Sequence, residues 1–114
     1  MISLLLFLLG SSEITYSRPI EIVRATVTAY SKAETCPNEE CITSSGKVAT
    51  SGLIACPRAF KLGTRVEILG VEYECADRTH KRFDGRFDIF KDSYAEAKSF
   101  GIKNLEIVIT PPLP

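Results

Sequence analysis

Short runs of β-branched residues separated by turn signals dominate this sequence, and they decide what it can fold into. "IEIVRATVTAY" (20–30), "RVEIL" (65–69), "VEYECA" (71–76), "RFDIF" (86–90) and "LEIVI" (105–109) each read as a strand, and "GKVATSGLIA" (46–55) as extended pieces broken at Gly52. Gly70 allows a tight turn, so 65–69 and 71–76 are expected to form a hairpin, and Asp84-Gly85 is a second hairpin-turn signal. The span 31–45, with Pro, Asn, Ser and two close cysteines, reads as a loop. The terminal "TPPLP" stops the last strand, because proline cannot donate to a ladder. One helix is expected: Ser93-Tyr94-Ala95-Glu96 fits a capping box, Tyr94, Ala97 and Phe100 share a face, and Gly101 suits the C-terminal cap. Many short strands with a single short helix make an all-β protein, a small closed barrel.

The first residues stand apart. In "MISLLLFLLGSSEITYS" an apolar run from Ile2 to Leu9 precedes small and polar residues, as in a secretory leader, with cleavage after Ser12 or Ser17. No lysine or arginine precedes the run, which departs from the usual leader, and a short buried strand or helix is the other reading. The run is too short to cross a bilayer as a helix. The expected organisation is therefore a leader at 1–17 and a single domain at 18–114, secreted or held in the cell envelope, with no membrane span in the mature chain.

Cysteine usage agrees with export. Cys36, Cys41, Cys56 and Cys75 form an even set in a short chain, which reads as a disulfide framework. Three pairings are possible and spacing does not choose among them; the working expectation is Cys36–Cys41 closing "CPNEEC", with Cys56–Cys75 joining two strands. A four-thiolate zinc site needs close pairs of ligands, and only Cys36 and Cys41 are close. Lysine plus arginine equals aspartate plus glutamate at 14 each, so no nucleic-acid partner is expected. No metal or cofactor is expected, and the chain is expected to be a monomer.

Asp88 is the residue that strand formation does not explain. Aspartate is depleted from strands, yet it sits within "RFDIF". Alternation puts Phe87 and Ile89 on one face and Arg86, Asp88 and Phe90 on the other. If the first pair faces the core, Asp88 emerges beside Phe90 and Arg86. Aromatic neighbours would desolvate the carboxyl and raise its pKa, while the arginine would lower it; the sequence leaves the winner open. Asp77 ends the preceding strand, where functional groups are common. Either aspartate alone is also readable as a solvated or salt-bridged carboxylate. His80, alone in a basic loop, reads as a surface residue. Arg78, Lys81 and Arg82 form a solvated loop or meet an anionic ligand, Arg78 and Arg86 are candidate substrate contacts, and Tyr30 is half-buried or stacks on a sugar.

Four segments now fall in a familiar order: "VTAY" (27–30), "KLGTRVEI" (61–68), "ADRTHKRFDGRFDIF" (76–90) and "DSYAEAKSFG" (92–101). Over residues 24–109 the chain resembles the three-aspartate (3D) domain of bacterial cell-wall proteins of the stationary-phase-survival type. The catalytic part of membrane-bound lytic transglycosylase A has this domain too. "LGTRV" is shared with wider double-psi barrels, including rare-lipoprotein-A-like and expansin-like domains; the spacing of Asp77, Asp88 and Asp92 is the specific part. The resemblance implies a six-stranded double-psi β-barrel, with Asp88 the catalytic acid, Asp77 its companion in the cleft and Asp92 organising the turn and helix start. Thr50 and Ser51 fall where the family has a loop bordering the groove. The chain departs from the family at Arg78 to Phe83, where many members carry a compact glycine turn.

The implied activity is cleavage of peptidoglycan glycan strands between N-acetylmuramic acid and N-acetylglucosamine, giving 1,6-anhydro products with one catalytic aspartate. The alternative is a non-catalytic wall-binding or wall-loosening module. A third class is a disulfide-stapled secreted effector without a glycan ligand.

Overall fold

The computed structural model describes residues 19–36 and 38–113; the leader expected at 1–17 lies outside them. Six strands, β1 (Glu21–Ser31), β2 (Leu53–Cys56), β3 (Arg65–Ile68), β4 (Val71–Arg78), β5 (Arg86–Lys91) and β6 (Lys103–Thr110), close into a barrel in the order β1-β5-β2-β4-β3-β6. The fold is thus the six-stranded, mostly β architecture expected. Two neighbouring pairs are parallel, β1 with β5 and β2 with β4, and the others are antiparallel.

Alternation fills the interior. Val27, Ile54, Val66, Ile68, Phe87, Ile89, Ile107 and Ile109 pack in one cluster, with the Phe60 ring 5.4 Å from that of Phe87. Phe87 and Ile89 do face the core, at 2% and 1% exposure, so Asp88 faces outward. The β3–β4 hairpin turns on Leu69 and Gly70, both with positive φ (51° and 81°), the pattern that matches strand twist in a two-residue loop.

Helix α2 (Tyr94–Phe100) begins at the Ser93 cap, whose hydroxyl accepts from the Glu96 amide at 3.1 Å, one half of the expected capping box, and Gly101 ends it at φ 71°. Ala97 is buried and Phe100 packs against the core, but Tyr94, expected on the same face, is half exposed. Two other readings are corrected. Asp84-Gly85 is a turn but not a hairpin, since β5 pairs with β1 and β2 rather than with β4. The 31–45 loop holds one helical turn, α1 (Lys32–Thr35).

Both disulfides join the expected partners, Cys36 with Cys41 and Cys56 with Cys75, and no described cysteine is left as a thiolate for zinc. Cys56 and Cys75 are wholly buried, linking β2 to β4 inside the barrel. Among the described residues no helix is long and apolar enough to cross a membrane. Closing a 19-residue loop removes unfolded-state entropy worth about 3 kcal/mol. Cys56→Ala/Cys75→Ala should therefore lose about that much in chemical denaturation, and more than Cys36→Ala/Cys41→Ala, whose loop is only 5 residues.

Candidate functional site

A β-bulge brings the two aspartates together. Along the β2–β4 pair, Ile54 lies opposite Cys75 but Ala55 lies opposite Asp77, so Ala76 is left over. Cys75 and Asp77 would point the same way in a regular strand, and Cys75 points into the core. The extra residue reverses the phase and turns Asp77 outward. On its other side Ala55 pairs with Asp88 of β5. Directly opposed residues share a sheet face. Asp88, Ala55 and Asp77 therefore form one outward row across three strands, with only a methyl between the two carboxylates.

β1 completes the wall. Its parallel register sets Thr28 opposite Asp88 and Tyr30 opposite Phe90. The Thr28 hydroxyl donates to Asp88 Oδ1 at 3.0 Å, and the Tyr30 ring meets Phe90 edge-on at 5.3 Å. Over this face lies a cavity of about 320 Å³ whose walls include Asp88, Tyr30, Glu34, Thr79, Phe83 and Arg86. A hollow of about 720 Å³ beside Phe60 and Pro112 is larger but shares no wall residue with it.

Desolvation wins at Asp88. Burial pushes its carboxyl up to about 6; the Thr28 hydroxyl opposes, Glu34 adds to the rise, Arg86 opposes and Asp77 adds. Its proton can thus be held near neutral pH and still be released. Tyr30 is pushed upward too, by burial first and then by the charges of Asp77 and Asp88, so its hydroxyl stays protonated. Asp77 lies close to the buried Tyr30 hydroxyl, which forms no hydrogen bond among the described residues. The Thr79 hydroxyl is likewise buried and unbonded among the described residues.

The other expected residues divide. Asp77 is in the row but does not wall the cavity: its Oδ1 accepts from the Ser44 amide and hydroxyl (3.0 and 2.8 Å) and from the Arg78 amide (2.9 Å), pinning the 41–48 loop to the barrel. Arg78 does not reach the cavity either, because its guanidinium donates to the Pro57 and Phe60 carbonyls. Thr50 and Ser51 lie outside it; the Ser51 hydroxyl donates to Asp92 at 3.1 Å, tying the 50–52 turn to the start of α2. Arg86 is in the wall, its guanidinium 4.7 Å over the Phe83 ring, and Arg82 lies over the same ring at 5.3 Å. His80 also walls the cavity, and its Nδ1 accepts from the Arg82 amide, fixing the turn at Lys81–Phe83.

Glu34, Thr28 and Thr79 went unremarked in the sequence. Glu34 had a signal: Ser31-x-x-Glu34 repeats the capping-box spacing seen at Ser93, and Glu34 Oε1 accepts from the Ser31 amide and hydroxyl at 3.0 and 3.1 Å. Thr28 and Thr79 had none, since only the barrel register sets them beside Asp88. Compared with known proteins, the chain matches no protein-family model, no curated protein and no solved structure.

The raised carboxyl has a stability consequence. Between the ordinary 3.8 and about 6, the folded chain holds more protons than the unfolded one, so stability falls as pH rises through that window. Asp88→Asn should thus be more stable than the parent above pH 6, by up to about 3 kcal/mol, and little different below pH 4. Carbon-detected NMR titration should place the Asp88 midpoint near 6, higher in Thr28→Val and lower in Glu34→Gln. A midpoint near 4, insensitive to both changes, would contradict the desolvated site.

Proposed function

We propose that the chain is an exported lytic transglycosylase of the three-aspartate, double-psi barrel kind, acting on peptidoglycan. The observation that carries this is the outward, half-dry Asp88, with its pKa raised to about 6, in a cavity walled by aromatic and polar side chains. The closed six-stranded barrel with two parallel pairs supports the fold assignment, and the two disulfides support an oxidising location outside the cytoplasm.

Protonated Asp88 donates to the glycosidic oxygen as the bond from muramoyl C1 breaks, releasing the N-acetylglucosamine side as an alcohol. The carboxylate then takes the proton of the muramoyl 6-hydroxyl while that oxygen bonds to C1, closing the 1,6-anhydro ring. The proton count balances and Asp88 returns to its acid form. One acid suffices because no water is activated; hydrolysis would require a second carboxylate as base or nucleophile. Thr28 fixes one Asp88 oxygen and leaves the other for the proton. Asp77 acts at one remove, holding the 41–48 loop and adding negative charge near Tyr30 and Asp88.

A second reading, a wall-binding module without catalysis, draws on Phe83, a ring 41% exposed in the cavity wall with Arg82 and Arg86 close by, whose exposed part could meet a sugar. The two readings separate on product. Purified protein incubated with peptidoglycan should release anhydromuropeptides detectable by mass spectrometry. The rate should fall as pH rises through about 6, and Asp88→Asn should lower it about a thousandfold with the fold intact. Wall binding with no anhydro product would replace the enzyme by the module.

A further inference from the structure

Glu34 belongs to α1, the helical turn that follows β1, and it walls the same cavity as Asp88. Two bonds hold it: Oε1 accepts from the Ser31 amide at 3.0 Å and from the Ser31 hydroxyl at 3.1 Å. Ser31 is wholly buried at the end of β1, so the anchor is part of the barrel. Oε2 accepts from no described residue, and Glu34 forms no ion pair among them. The residue is exposed, which leaves its carboxylate open to water. Its charge is nonetheless felt at Asp88, more strongly than that of Arg86 or Asp77. Asp88 is held in the same manner, with Oδ1 on Thr28 and Oδ2 without a described donor. A glutamine would cap Ser31 equally well, so the cap gives no reason for a negative charge that opposes ionisation of Asp88.

We propose that Glu34 is the general base of a second reaction in this cavity, the hydrolysis of the glycosidic bond that Asp88 protonates. This rests on the reading of Asp88 as a glycosidic acid. Hydrolysis by direct displacement needs one carboxylic acid and one carboxylate facing a single bond. Asp77 is a poor second group: its Oδ1 is taken by Ser44 and the Arg78 amide, and it does not wall the cavity. Asp88 gives its proton to the glycosidic oxygen as the bond to C1 breaks. A water oxygen bonds to C1 and its proton passes to Glu34. Glu34 then releases that proton to solvent and Asp88 takes one up, so the sum is the addition of one water. The product ends in a free reducing sugar instead of an anhydro ring. Glu34 is needed on this route alone, because the 6-hydroxyl returns its proton to Asp88.

The product ratio tests this on peptidoglycan whose existing reducing ends have first been removed with borohydride. The parent should release new reducing-end muropeptides, each heavier by one water than its anhydro counterpart in mass spectrometry. Glu34→Gln keeps the acceptor for Ser31 and should lower the reducing-end rate about a hundredfold, while the anhydro rate changes less than about threefold. Glu34→Asp keeps the charge but shortens the reach, and should lose about tenfold on the reducing-end route alone. An equal loss on both routes in these variants would make Glu34 structural and overturn the base. Anhydro product alone from the parent overturns the base and leaves the transglycosylase standing. Reducing-end product alone, lost in Glu34→Gln, upholds the base and overturns the transglycosylase. No cleavage of either kind overturns both.

Discussion

The extra residue in β4 is the constraint on which the site depends. Without the bulge at Ala76, Asp77 would follow Cys75 into the barrel interior, where a carboxylate has neither water nor a partner. The bulge lets one strand serve two purposes, sending Tyr73 and Cys75 inward and Asp77 outward. Because β2 is shared by β4 and β5, Ala55 then fixes the two aspartates on either side of itself. Only a small side chain keeps that row open.

The electrostatics of the row follow from its depth. Asp88 has a hydroxyl and a guanidinium that favour its charged form, and burial with two nearby carboxylates that oppose it. Burial is the largest influence, because a half-dry carboxylate loses more hydration than one hydroxyl and one partly solvated arginine restore. The raised pKa is a local destabilisation at neutral pH, held in place by the rigid barrel beneath it. A strand is a suitable carrier for such a group, since its rows fix direction better than a loop does.

The outer wall is assembled from segments with little structure of their own. The turn of α1 is anchored by Glu34 on Ser31, and the Cys36–Cys41 bond closes the segment that follows it. The 41–48 loop is tied down through Ser44 on Asp77 and through the Ser45 amide on the Ala76 carbonyl. The 78–86 segment is held by Asp84, which accepts from the Arg58 amide at 3.1 Å, and by the stacking of Arg82 and Arg86 on Phe83. These contacts are mostly short-range or single, so they shape the cavity without setting the fold.

Much of the fold was legible in the chain because its signals are local. The β-branched runs, Gly70, the Ser93 cap and the closing prolines each act on their own neighbours, and alternation in "RFDIF" alone implied that Asp88 faces outward if Phe87 faces the core. The same reasoning misjudged Asp84-Gly85 as a hairpin, because pairing partners are chosen across the barrel and not by the turn. Arg78, Thr50 and Ser51 were candidate contacts by position, but bonding to distant backbone or to Asp92 takes Arg78 and Ser51 elsewhere, and Thr50 lies outside the cavity. Thr28, Thr79 and Glu34 come from three separate stretches. The sequence by itself determined the main strands, the Ser93 cap and the rule that Asp88 faces away from Phe87 and Ile89. Only the closed barrel, with its shared β2 and its one-residue bulge, decided which side chains stand around that carboxyl, because register across non-adjacent strands has no local signature.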